Sequence, residues 1–599
     1  MHKDSMLYPQ RNQKRSDTIL DGLWKFSFDP ASCGEKEGWP NGLPSFVKMP
    51  VPASFQEMFT DIQSREYCGD YWYETDFYLD EKKENTDTVI RFGSVTHRCK
   101  VFLNGKLVGQ HEGGFLPFNV DINDAAKYDD ENKLVLLVNN ELSEEMLPCG
   151  ATEVKPDGRK VAHGYFDFFN YSGIHRSVHL LTLPAERIDN YAVSFTLEEN
   201  RAVVHCTVET ESNAQVVIAL KQDGKAAAQE QGKECDLIVE NPHLWDTKDP
   251  YLYEIELQLV KDNEVLDLYR DKIGIRTIAV KGTKILLNNK PVYLKGYGKH
   301  EDASMFGRGF NYAIAARDFA CMKWNGANCF RTSHYPYDEK WYQMADEQGF
   351  LIIDEVPAVG MMRSMHNYVA AGSGGKYTGF FESETVPRLK KRHLEAVKDM
   401  IRRDQNHPSV IAWSLFNEPE TTSTYAHAYF KDVFDYAKKI DQQVRPCTGA
   451  FEKNSKPELC QCYMLVDFMC FNRYYGWYIS GGDLKEAEEK FRDELSRWRA
   501  KNLNIPFVFT EFGCDTLGDV HELPGRMWSQ EYQREYYEMY FKVFRDYPEI
   551  QGELVWNFAD FMTGQAIMRV GGNRKGVFTR DRQPKDAAYI LKQHWESIE

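Results

Sequence analysis

Two glutamates follow apolar segments in a way that suits acid–base chemistry. Glu418 ends the segment "VIAWSLFNE", and Glu511 lies within "PFVFTEFG". A lone glutamate after a strand more often caps a helix or joins an ion pair, because carboxylates are favoured at helix N-termini. Two carboxyl groups that meet at one site are more specific, since such a pair flanks the bond that is cut in glycoside hydrolysis.

The elements that must position this pair begin after residue 278, where strand and helix patterns alternate. Eight apolar segments are strand candidates: "VYLKGYG", "CFRTSHY", "FLIIDEV", "VIAWSLFNE", "RPCTGA", "FMCFNRYY", "PFVFTEFG" and "ELVWNFADF". Eight such units over residues 279–599 predict a catalytic (β/α)₈ TIM barrel, whose active site lies at the C-terminal ends of its strands. The fourth strand is expected to end in Asn417-Glu418 and the seventh in Glu511, so both carboxylates would reach the barrel mouth.

The connecting segments have the periodicity of helices. Apolar residues recur at helical spacing at Leu394, Val397 and Ile401, and again from Leu484 to Trp498. Gly326 and Gly349 stand just before the second and third strand candidates, where a glycine ends a helix in the left-handed conformation. These signals support the barrel.

The N-terminal half predicts two antiparallel β-sandwiches. Residues 1–185 hold short alternating strands broken by turns, and Asn104-Gly105 in "KVFLNGKLVG" is typical of a type I′ hairpin. Residues 186–278 hold a second set, "YAVSFTLE", "AVVHCTVET", "QVVIALK" and "YLYEIELQLV", of roughly immunoglobulin size.

Charge and cysteine usage restrict the partners and the location. The formal charge of −17 argues against nucleic acid and anionic membranes, and we find no apolar run of the ~20 residues that a membrane span needs. The 13 cysteines show no paired CxxC spacing, which is typical of free thiols in a reducing compartment. We therefore expect a soluble, cytoplasmic protein without a signal peptide.

No pattern demands a metal or a cofactor. His300-Glu301-Asp302 places three possible ligands together but lacks a second compact cluster. No nucleotide-binding fingerprint lies between a strand and a helix.

The motifs "WSLFNEPE" and "FVFTEFG", after two sandwiches in this order, resemble glycoside hydrolase family 2, and "NRYYGWY", "RTSHYPY" and "VGGNRKGVFTRDR" resemble its β-glucuronidases. The resemblance covers nearly the whole chain. It implies a jelly-roll-like sugar-binding domain, an immunoglobulin-like domain and a barrel. It also implies exo-acting hydrolysis of small-molecule β-D-glucuronides, and a homotetramer.

By that resemblance Glu418 is the general acid/base and Glu511 the nucleophile of a retaining mechanism. The charge of Glu511 would raise the pKa of Glu418, which then stays protonated until a glycosyl ester forms. Seven further residues are implied to bind the sugar: Asp167, His300, His334, Asn417, Tyr474, Tyr478 and Trp556.

A small cationic segment, "GGNRKGVFTRD", stands out in this acidic chain. By the same resemblance Asn573 and Lys575, with Arg569 close by, hold the carboxylate of a glucuronide. The lysine of an isolated N-x-K triplet is usually a solvated charge in a loop. This triplet supports a carboxylate-binding role only because it follows the eighth strand at the barrel mouth. Lysine supplies three donors and asparagine a directed amide.

A long segment after the third strand is rich in methionine and aromatic residues, "VGMMRSMHNYVAAGSGGKYTGFFESE". Long loops at a barrel mouth usually serve binding, and methionine adapts to varied apolar shapes. We expect four of its residues to contact the aglycone: Met361, Met362, Met365 and Tyr368.

Two kinds of alternative stay open. Another family 2 specificity is the nearest: β-galactosidase and β-mannosidase give no reason for Asn573 and Lys575, whereas a β-galacturonidase shares the carboxylate. A non-catalytic carbohydrate-binding or assembly protein is the other, because a fold alone does not imply a function. The presence of both Glu418 and Glu511 argues against it.

Overall fold

The computed structural model describes residues 5–363, 379–381 and 386–598. Two antiparallel sandwiches precede a closed barrel of eight parallel strands. The predicted fold class is thereby confirmed. Across these residues, no helix has the length and apolar character needed to cross a bilayer.

The first sandwich packs a four-stranded sheet, β1-β14-β5-β9, against a six-stranded one, β3-β2-β4-β10-β7-β8. Its elements are β1 (Ser16–Ile19), β2 (Gly22–Asp29), β3 (Val47–Val51), α1 (Ile62–Arg65), β4 (Asp70–Leu79), β5 (Thr86–Phe92), β6 (Val95–Thr96), β7 (Arg98–Leu103), β8 (Lys106–Glu112), β9 (Phe118–Asp121), β10 (Asp130–Asn139), β11 (Gly150–Val154), β12 (Lys160–Gly164), β13 (Gly173–Ile174) and β14 (Val178–Pro184). Short 3₁₀ turns cover Trp39–Asn41 and Phe55–Met58. Asn104 and Gly105 join β7 to β8 with φ of 52° and 83°, as a type I′ turn requires.

The second sandwich packs β15-β16-β19 against β18-β17-β20-β21. Its strands are β15 (Asn190–Leu197), β16 (Arg201–Glu209), β17 (Gln215–Gln222), β18 (Lys225–Gln231), β19 (Glu234–Glu240), β20 (Tyr253–Lys261) and β21 (Glu264–Ile273). Buried and half-buried residues alternate along β16, because successive side chains of a strand point to opposite faces. One face of each sheet therefore forms the core of this domain.

A small antiparallel sheet of β22 (Ile278–Lys281), β23 (Lys284–Leu287) and β24 (Lys290–Pro291) leads into the barrel. The barrel strands are β25 (Leu294–Gly298), β26 (Cys329–Arg331), β27 (Leu351–Glu355), β28 (Val410–Asn417), β29 (Cys447–Phe451), β30 (Met469–Asn472), β31 (Phe507–Glu511) and β32 (Ile550–Val555). Each of the eight predicted segments contains a barrel strand or part of one; the last strand begins three residues earlier than predicted. Almost every strand residue is buried, as expected when helices cover the outer face of a parallel sheet.

The helices around the barrel are α2 (Tyr312–Asn325), α3 (Glu339–Gln348), α4 (Val386–Asp404), α5 (Thr424–Ile440), α6 (Leu484–Arg499), α7 (Gln530–Arg545) and α8 (Asp586–Ser597). Gly326 and Gly349 end α2 and α3 with φ of 80° and 75°. In this left-handed region glycine has no steric penalty, which explains both predicted caps.

Buried ion pairs join the first sandwich to the barrel. The Arg91 guanidinium donates to both carboxylate oxygens of Glu339, at 3.2 and 3.0 Å. Arg176 donates to Glu301 at 3.1 Å, and both side chains are buried. These contacts hold the sandwich against the barrel next to His300, so that a loop of the sandwich reaches the barrel mouth.

Candidate active site

Glu511, the last residue of β31, is buried and held by donors from two other parts of the barrel, the end of β26 and the segment after β30. The Tyr474 hydroxyl donates to Oε2 at 2.6 Å, and the Arg331 guanidinium donates to Oε1. His334 Nε2 lies 3.7 Å from the same Oε1. Donors on both oxygens fix the direction of the carboxylate. This arrangement suits a nucleophile that must not rotate.

Glu418 follows β28 directly, and its surroundings favour the protonated form of its carboxyl group. Burial, and then the charge of Glu511, raise the pKa of Glu418 to about 8. Asn472 Nδ2 donates to its Oε1 at 3.1 Å. Its φ of 49° is in the left-handed region, which non-glycine residues seldom adopt and which often marks functional positions. At neutral pH this group holds a proton that it can donate.

Asn417, the last residue of β28, shares a partner with Glu418. The Asn472 amide donates to Asn417 Oδ1 at 3.1 Å, while Asn472 accepts from the Thr510 hydroxyl at 2.8 Å. One amide from β30 therefore orients both residues at the end of β28. Its oxygen is engaged, and the part of the chain that the structure describes records no partner for its amide nitrogen, which is therefore left for a ligand.

Aromatic and histidine side chains form the next part of the site. His334 stacks on Trp556 with ring centroids 5.1 Å apart, and its Nδ1 lies 2.9 Å from Glu355. Burial lowers the pKa of His300 well below its usual value, so His300 is neutral. Phe168 of the first sandwich lies over His300, with centroids 5.2 Å apart. The sandwich thus contributes directly to the site.

The glycine-flanked segment after β32 forms a tight loop. Gly571 and Gly572 have φ of 67° and 111°, and a Cβ on Gly572 would lie 2.4 Å from the carbonyl oxygen of Phe561. Only glycine fits there. The turn brings Asn573 and Lys575 inward, and both are 1% exposed.

Lys575 lies in a pocket of aromatic rings and one carboxylate. Its Nζ donates to the Tyr478 hydroxyl at 2.8 Å and to Asp515, and lies 4.8 Å from the centre of the Tyr478 ring. Burial opposes the charge, but Tyr478 and Asp515 outweigh it and raise the pKa of Lys575. The lysine is therefore a fixed cation.

Asp167 of the first sandwich lies against the same loop. Arg569 Nε donates to Asp167 Oδ1 at 2.8 Å and its Nη2 donates to Oδ2. Asn573 Nδ2 donates to Asp167 Oδ2 at 3.0 Å, and Arg569 donates to the Tyr478 hydroxyl at 2.9 Å. All three predicted carboxylate-binding residues thus already hold a protein carboxylate in this structure: Arg569 and Asn573 bind Asp167, and Lys575 binds Asp515.

Comparisons with known proteins agree with this geometry. Three family models of glycosyl hydrolases family 2 match the chain: the sugar binding domain at residues 18–184, the family 2 model at 186–276 and the TIM barrel domain at 278–599. The chain belongs to glycoside hydrolase family 2. It is an enzyme of that family, a glycoside hydrolase.

Similar proteins span the full length. A β-glucuronidase of Streptococcus agalactiae is 38% identical over 602 residues, which cover 99% of this chain and 98% of that protein. The apo structure of the Ruminococcus gnavus β-glucuronidase superposes with a TM-score of 0.96 at 57% identity, covering 99% of both chains. The R. gnavus enzyme in complex with uronic isofagomine superposes with a TM-score of 0.97 at 59% identity, again over 99% of both chains.

In this family 2 enzyme the methionine-rich segment is only partly described. Met365 and Tyr368 lie outside the described residues. Met361 is fully buried, and its carbonyl accepts from the Glu420 backbone N–H at 3.0 Å. Its side chain packs in the large hydrophobic cluster of the barrel, and its contact with an aglycone stays a prediction. Met362 is half-buried and keeps the predicted role.

Three residues of this family 2 site were not predicted from the sequence. Arg331 and Asn472 each end a barrel strand, so the rule that located Glu511 applies equally to them. Asp515 lies four residues after Glu511, and nothing in the sequence pairs it with Lys575. Only the folded structure brings it to the loop of residues 569–575, which holds Arg569, Asn573 and Lys575 and is called the cationic loop here.

Among the described residues, one group of three side chains has the spacing to hold a metal ion: His521, Glu531 and Asp586. His521 is exposed, and the group lies where α7 and α8 begin. It takes no part in the arrangement of Glu418 and Glu511.

Proposed function

We propose that this enzyme is a retaining, exo-acting β-glucuronidase. It hydrolyses β-D-glucuronides to glucuronic acid and the free aglycone through a covalent glycosyl-enzyme intermediate. The observation that carries the proposal is the buried cation Lys575, which is linked to the nucleophile through two tyrosines.

That link is short. Lys575 Nζ donates to the Tyr478 hydroxyl at 2.8 Å, the rings of Tyr478 and Tyr474 are 5.1 Å apart, and Tyr474 donates to Glu511 at 2.6 Å. A sugar whose anomeric carbon lies at Glu511 would therefore direct its C5 substituent towards Lys575 and Asn573. A carboxylate there is recognised by charge, whereas a hydroxymethyl group would leave a buried cation without its ligand. The R. gnavus enzyme, with 59% identity, was solved with a uronic ligand, uronic isofagomine.

In the first step Glu511 attacks the anomeric carbon while Glu418 gives its proton to the leaving oxygen. The raised pKa of Glu418, about 8, keeps that proton available at neutral pH. Asn417 donates to the 2-hydroxyl, an interaction that strengthens as the oxocarbenium-like transition state forms.

In the second step Glu418 acts as the base. Once Glu511 is esterified it carries no charge, so one of the three causes that raise the pKa of Glu418, namely burial, Glu511 and Glu452, disappears. Glu418 then releases its proton more readily, and it accepts a proton from the water that attacks the ester. Hydrolysis needs no metal or organic cofactor in this scheme.

The first sandwich supports the exo-acting part of the proposal. Asp167 and Phe168 come from that domain and lie against Arg569 and His300 of the barrel. A pocket closed on that side accepts only the terminal sugar of a chain. In the proposed complex Asp167 turns to the sugar hydroxyls.

The deciding experiment compares kcat/KM on the p-nitrophenyl β-D-glucuronide, galacturonide, galactoside and glucoside, for the wild type and for Lys575→Met. We expect the glucuronide to dominate in the wild type and to lose that advantage in the variant. A higher kcat/KM on a neutral sugar would contradict the proposal. A higher kcat/KM on the galacturonide, the C4 epimer of the glucuronide, would show that the enzyme is a β-galacturonidase instead.

Two further tests address mechanism and catalysis. Proton NMR of the first-formed sugar should show the β-anomer, because two inversions retain the configuration. Glu511→Gln should abolish hydrolysis while the folded protein still binds glucuronate. A wild type without activity on any of the four glycosides would favour the non-catalytic alternative.

We also propose a homotetramer in the cytoplasm. All 13 cysteines are free thiols in the structure, as is typical of a reducing compartment. The tetramer follows from the resemblance to β-glucuronidases, and light scattering of the purified enzyme tests it.

A further inference from the structure

Asp515 connects the loop that follows the nucleophile to the cationic loop. It is fully buried, four residues after Glu511. Its Oδ2 accepts from Lys575 Nζ and lies 3.6 Å from Arg569 Nη1, while its Oδ1 accepts from the Arg574 backbone N–H at 2.8 Å. One carboxylate thus contacts the cationic loop at three points.

The backbones of the two loops are also joined. The Thr516 N–H donates to the Arg574 carbonyl at 2.9 Å, next to the bond from Arg574 to Asp515. Any displacement of Lys575 relative to Glu511 must therefore break contacts that Asp515 makes.

Lys575 has three N–H donors, and Asp515 and Tyr478 take two of them. Within the described part of the chain the third has no recorded partner. A lysine side chain has four rotatable bonds and loses much entropy when one geometry is imposed. With Asp515 on one side and Tyr478 on the other, the ammonium group is held in place and its third donor is left for a ligand.

Charge gives Asp515 a second role. The groups that face the ammonium are Asp515, Tyr478, Arg569 and Asp167, together with the rings of Tyr474 and Trp477. Of the two carboxylates, Asp167 is 48% exposed and belongs to another domain, whereas Asp515 is fully buried beside the ammonium. Without Asp515, burial would favour the neutral amine, and a neutral amine would no longer select an anion.

We propose that Asp515 is a specificity-determining positioning residue, which holds Lys575 charged and in place so that the site prefers a uronic acid to a neutral sugar. Asp515 acts through Lys575 and does not touch the substrate. The inference rests on the proposed function, because it presupposes that Lys575 binds the substrate carboxylate.

A purely structural role is the alternative, and the chain offers a matched control. Asp560 is also buried, pairs with the buried Lys585 at 2.8 Å and accepts from the Gly576 backbone N–H at 3.0 Å. Asp560 therefore supports the same loop through another lysine. If Asp515 only stabilises the loop, Asp560→Asn and Asp515→Asn should change the preference for the glucuronide equally.

The experiment measures kcat/KM on p-nitrophenyl β-D-glucuronide and glucoside for four full-length enzymes: Asp515→Asn, Asp560→Asn, Lys575→Met and the Asp515→Asn/Lys575→Met double variant. Asparagine keeps an acceptor for the Arg574 N–H but removes the counter-ion of Lys575. We expect Asp515→Asn to lower the glucuronide-to-glucoside ratio by about tenfold or more, since an unpaired buried charge is costly. Asp560→Asn should change this ratio far less.

The double variant tests the route of the effect. If Asp515 acts through Lys575, Asp515→Asn adds little to the loss of preference that Lys575→Met already causes, because coupled residues are not additive. The pH dependence gives a second signature. In Asp515→Asn the ratio should fall as the pH rises from about 6 to 9, because the unpaired lysine loses its proton, whereas the wild-type ratio should hold.

The possible outcomes distinguish failure of the inference from failure of the proposed function. Equal loss on both substrates in Asp515→Asn, or equal loss of preference in Asp560→Asn, would overturn the inference. If Asp515→Asn does not fold, the double variant decides, since it removes both charges together: a loss of preference clearly greater than that of Lys575→Met alone overturns the inference, because Asp515 would then act by a route other than Lys575. A wild type without preference for the glucuronide would refute the proposed function itself, and Lys575→Met with the wild-type preference would remove the premise of the inference.

Discussion

The guanidinium of Arg569 and the carboxylate of Asp167 form a bidentate ion pair between the barrel and the first sandwich. Asn573 donates to the same carboxylate at 3.0 Å. Asp167 therefore occupies donors that the proposed substrate carboxylate needs. A uronic substrate must compete with this internal anion, and Asp167 is exposed enough to move away.

We predict that Asp167→Asn raises the ratio of kcat/KM for glucuronide over glucoside. The hydroxyl contacts of Asp167 are common to both substrates, so their loss cancels in the ratio, whereas removal of the competing charge favours only the anion. The rise should be up to about fivefold, because such a half-exposed ion pair contributes about 1 kcal/mol or less.

Glu66→Gln is the matched control. Glu66 is an exposed carboxylate of the same sandwich, and it accepts from Gln565 of the same barrel segment; among the described residues no ion pair of Glu66 is recorded. The ratio should stay constant in this variant. A lower ratio in Asp167→Asn would show instead that Asp167 holds Arg569 in place for the substrate.

The pH profile should report Glu418. Its pKa of about 8 predicts that kcat/KM falls as the pH rises through 8, because the general acid loses its proton. Glu418→Gln should remove this limb. It should also cost about 10²- to 10⁴-fold on an alkyl glucuronide and less on the p-nitrophenyl substrate, whose leaving group needs little protonation. Similar losses on both would contradict the role of acid.

Glu418 also affects stability. The folded enzyme holds the proton of Glu418 up to a pKa of about 8, whereas an unfolded chain releases it near ~4.3. Between these values the folded state binds more protons, so this group makes the enzyme less stable as the pH rises. Glu418→Gln should therefore raise Tm more at pH 9 than at pH 5. A Tm difference independent of pH would argue against the raised pKa.

Arg331 is predicted to orient the nucleophile. Its guanidinium donates to Glu511 and, at 3.0 Å, to Ser333 Oγ. Arg331→Lys loses the planar fork and should lower kcat about 10²- to 10³-fold, with a smaller change in KM. Arg445→Lys is the control, because Arg445 is equally buried and pairs with Asp441 at 2.8 Å. That variant should lower Tm and leave kcat near the wild-type value; equal effects on kcat would assign Arg331 a structural role.

Local rules were sufficient for the barrel. Its strands are short, apolar and separated by helices, and Gly326 and Gly349 end two helices in the predicted conformation. Each of these signals depends on a few neighbouring residues. For the same reason Glu418 and Glu511 could be selected from the sequence, since both end strands of one barrel.

Long-range pairs could not be predicted in this way. Asp515 meets Lys575 across 60 residues, and Asp167 meets Arg569 across 402. The burial of Met361 depends on how the segment after β27 packs. The contacts that tune the site are therefore those that the sequence does not reveal, although it reveals the groups that react.

The interface between the first sandwich and the barrel should contribute strongly to stability. Arg91→Met would leave Glu339 buried without its bidentate partner, and removal of one member of a buried ion pair costs about 3 to 5 kcal/mol. Arg201→Met removes a guanidinium from the exposed pair with Glu198, where little change in stability is expected because solvent screens the two charges. Thermal unfolding should give a clear loss of Tm for the first variant and almost none for the second. Because Asp167 reaches the barrel only while the domains are docked, activity in Arg91→Met should be lost at the same temperature as the sandwich unfolds; activity that survives unfolding of the sandwich would show that the barrel works without it.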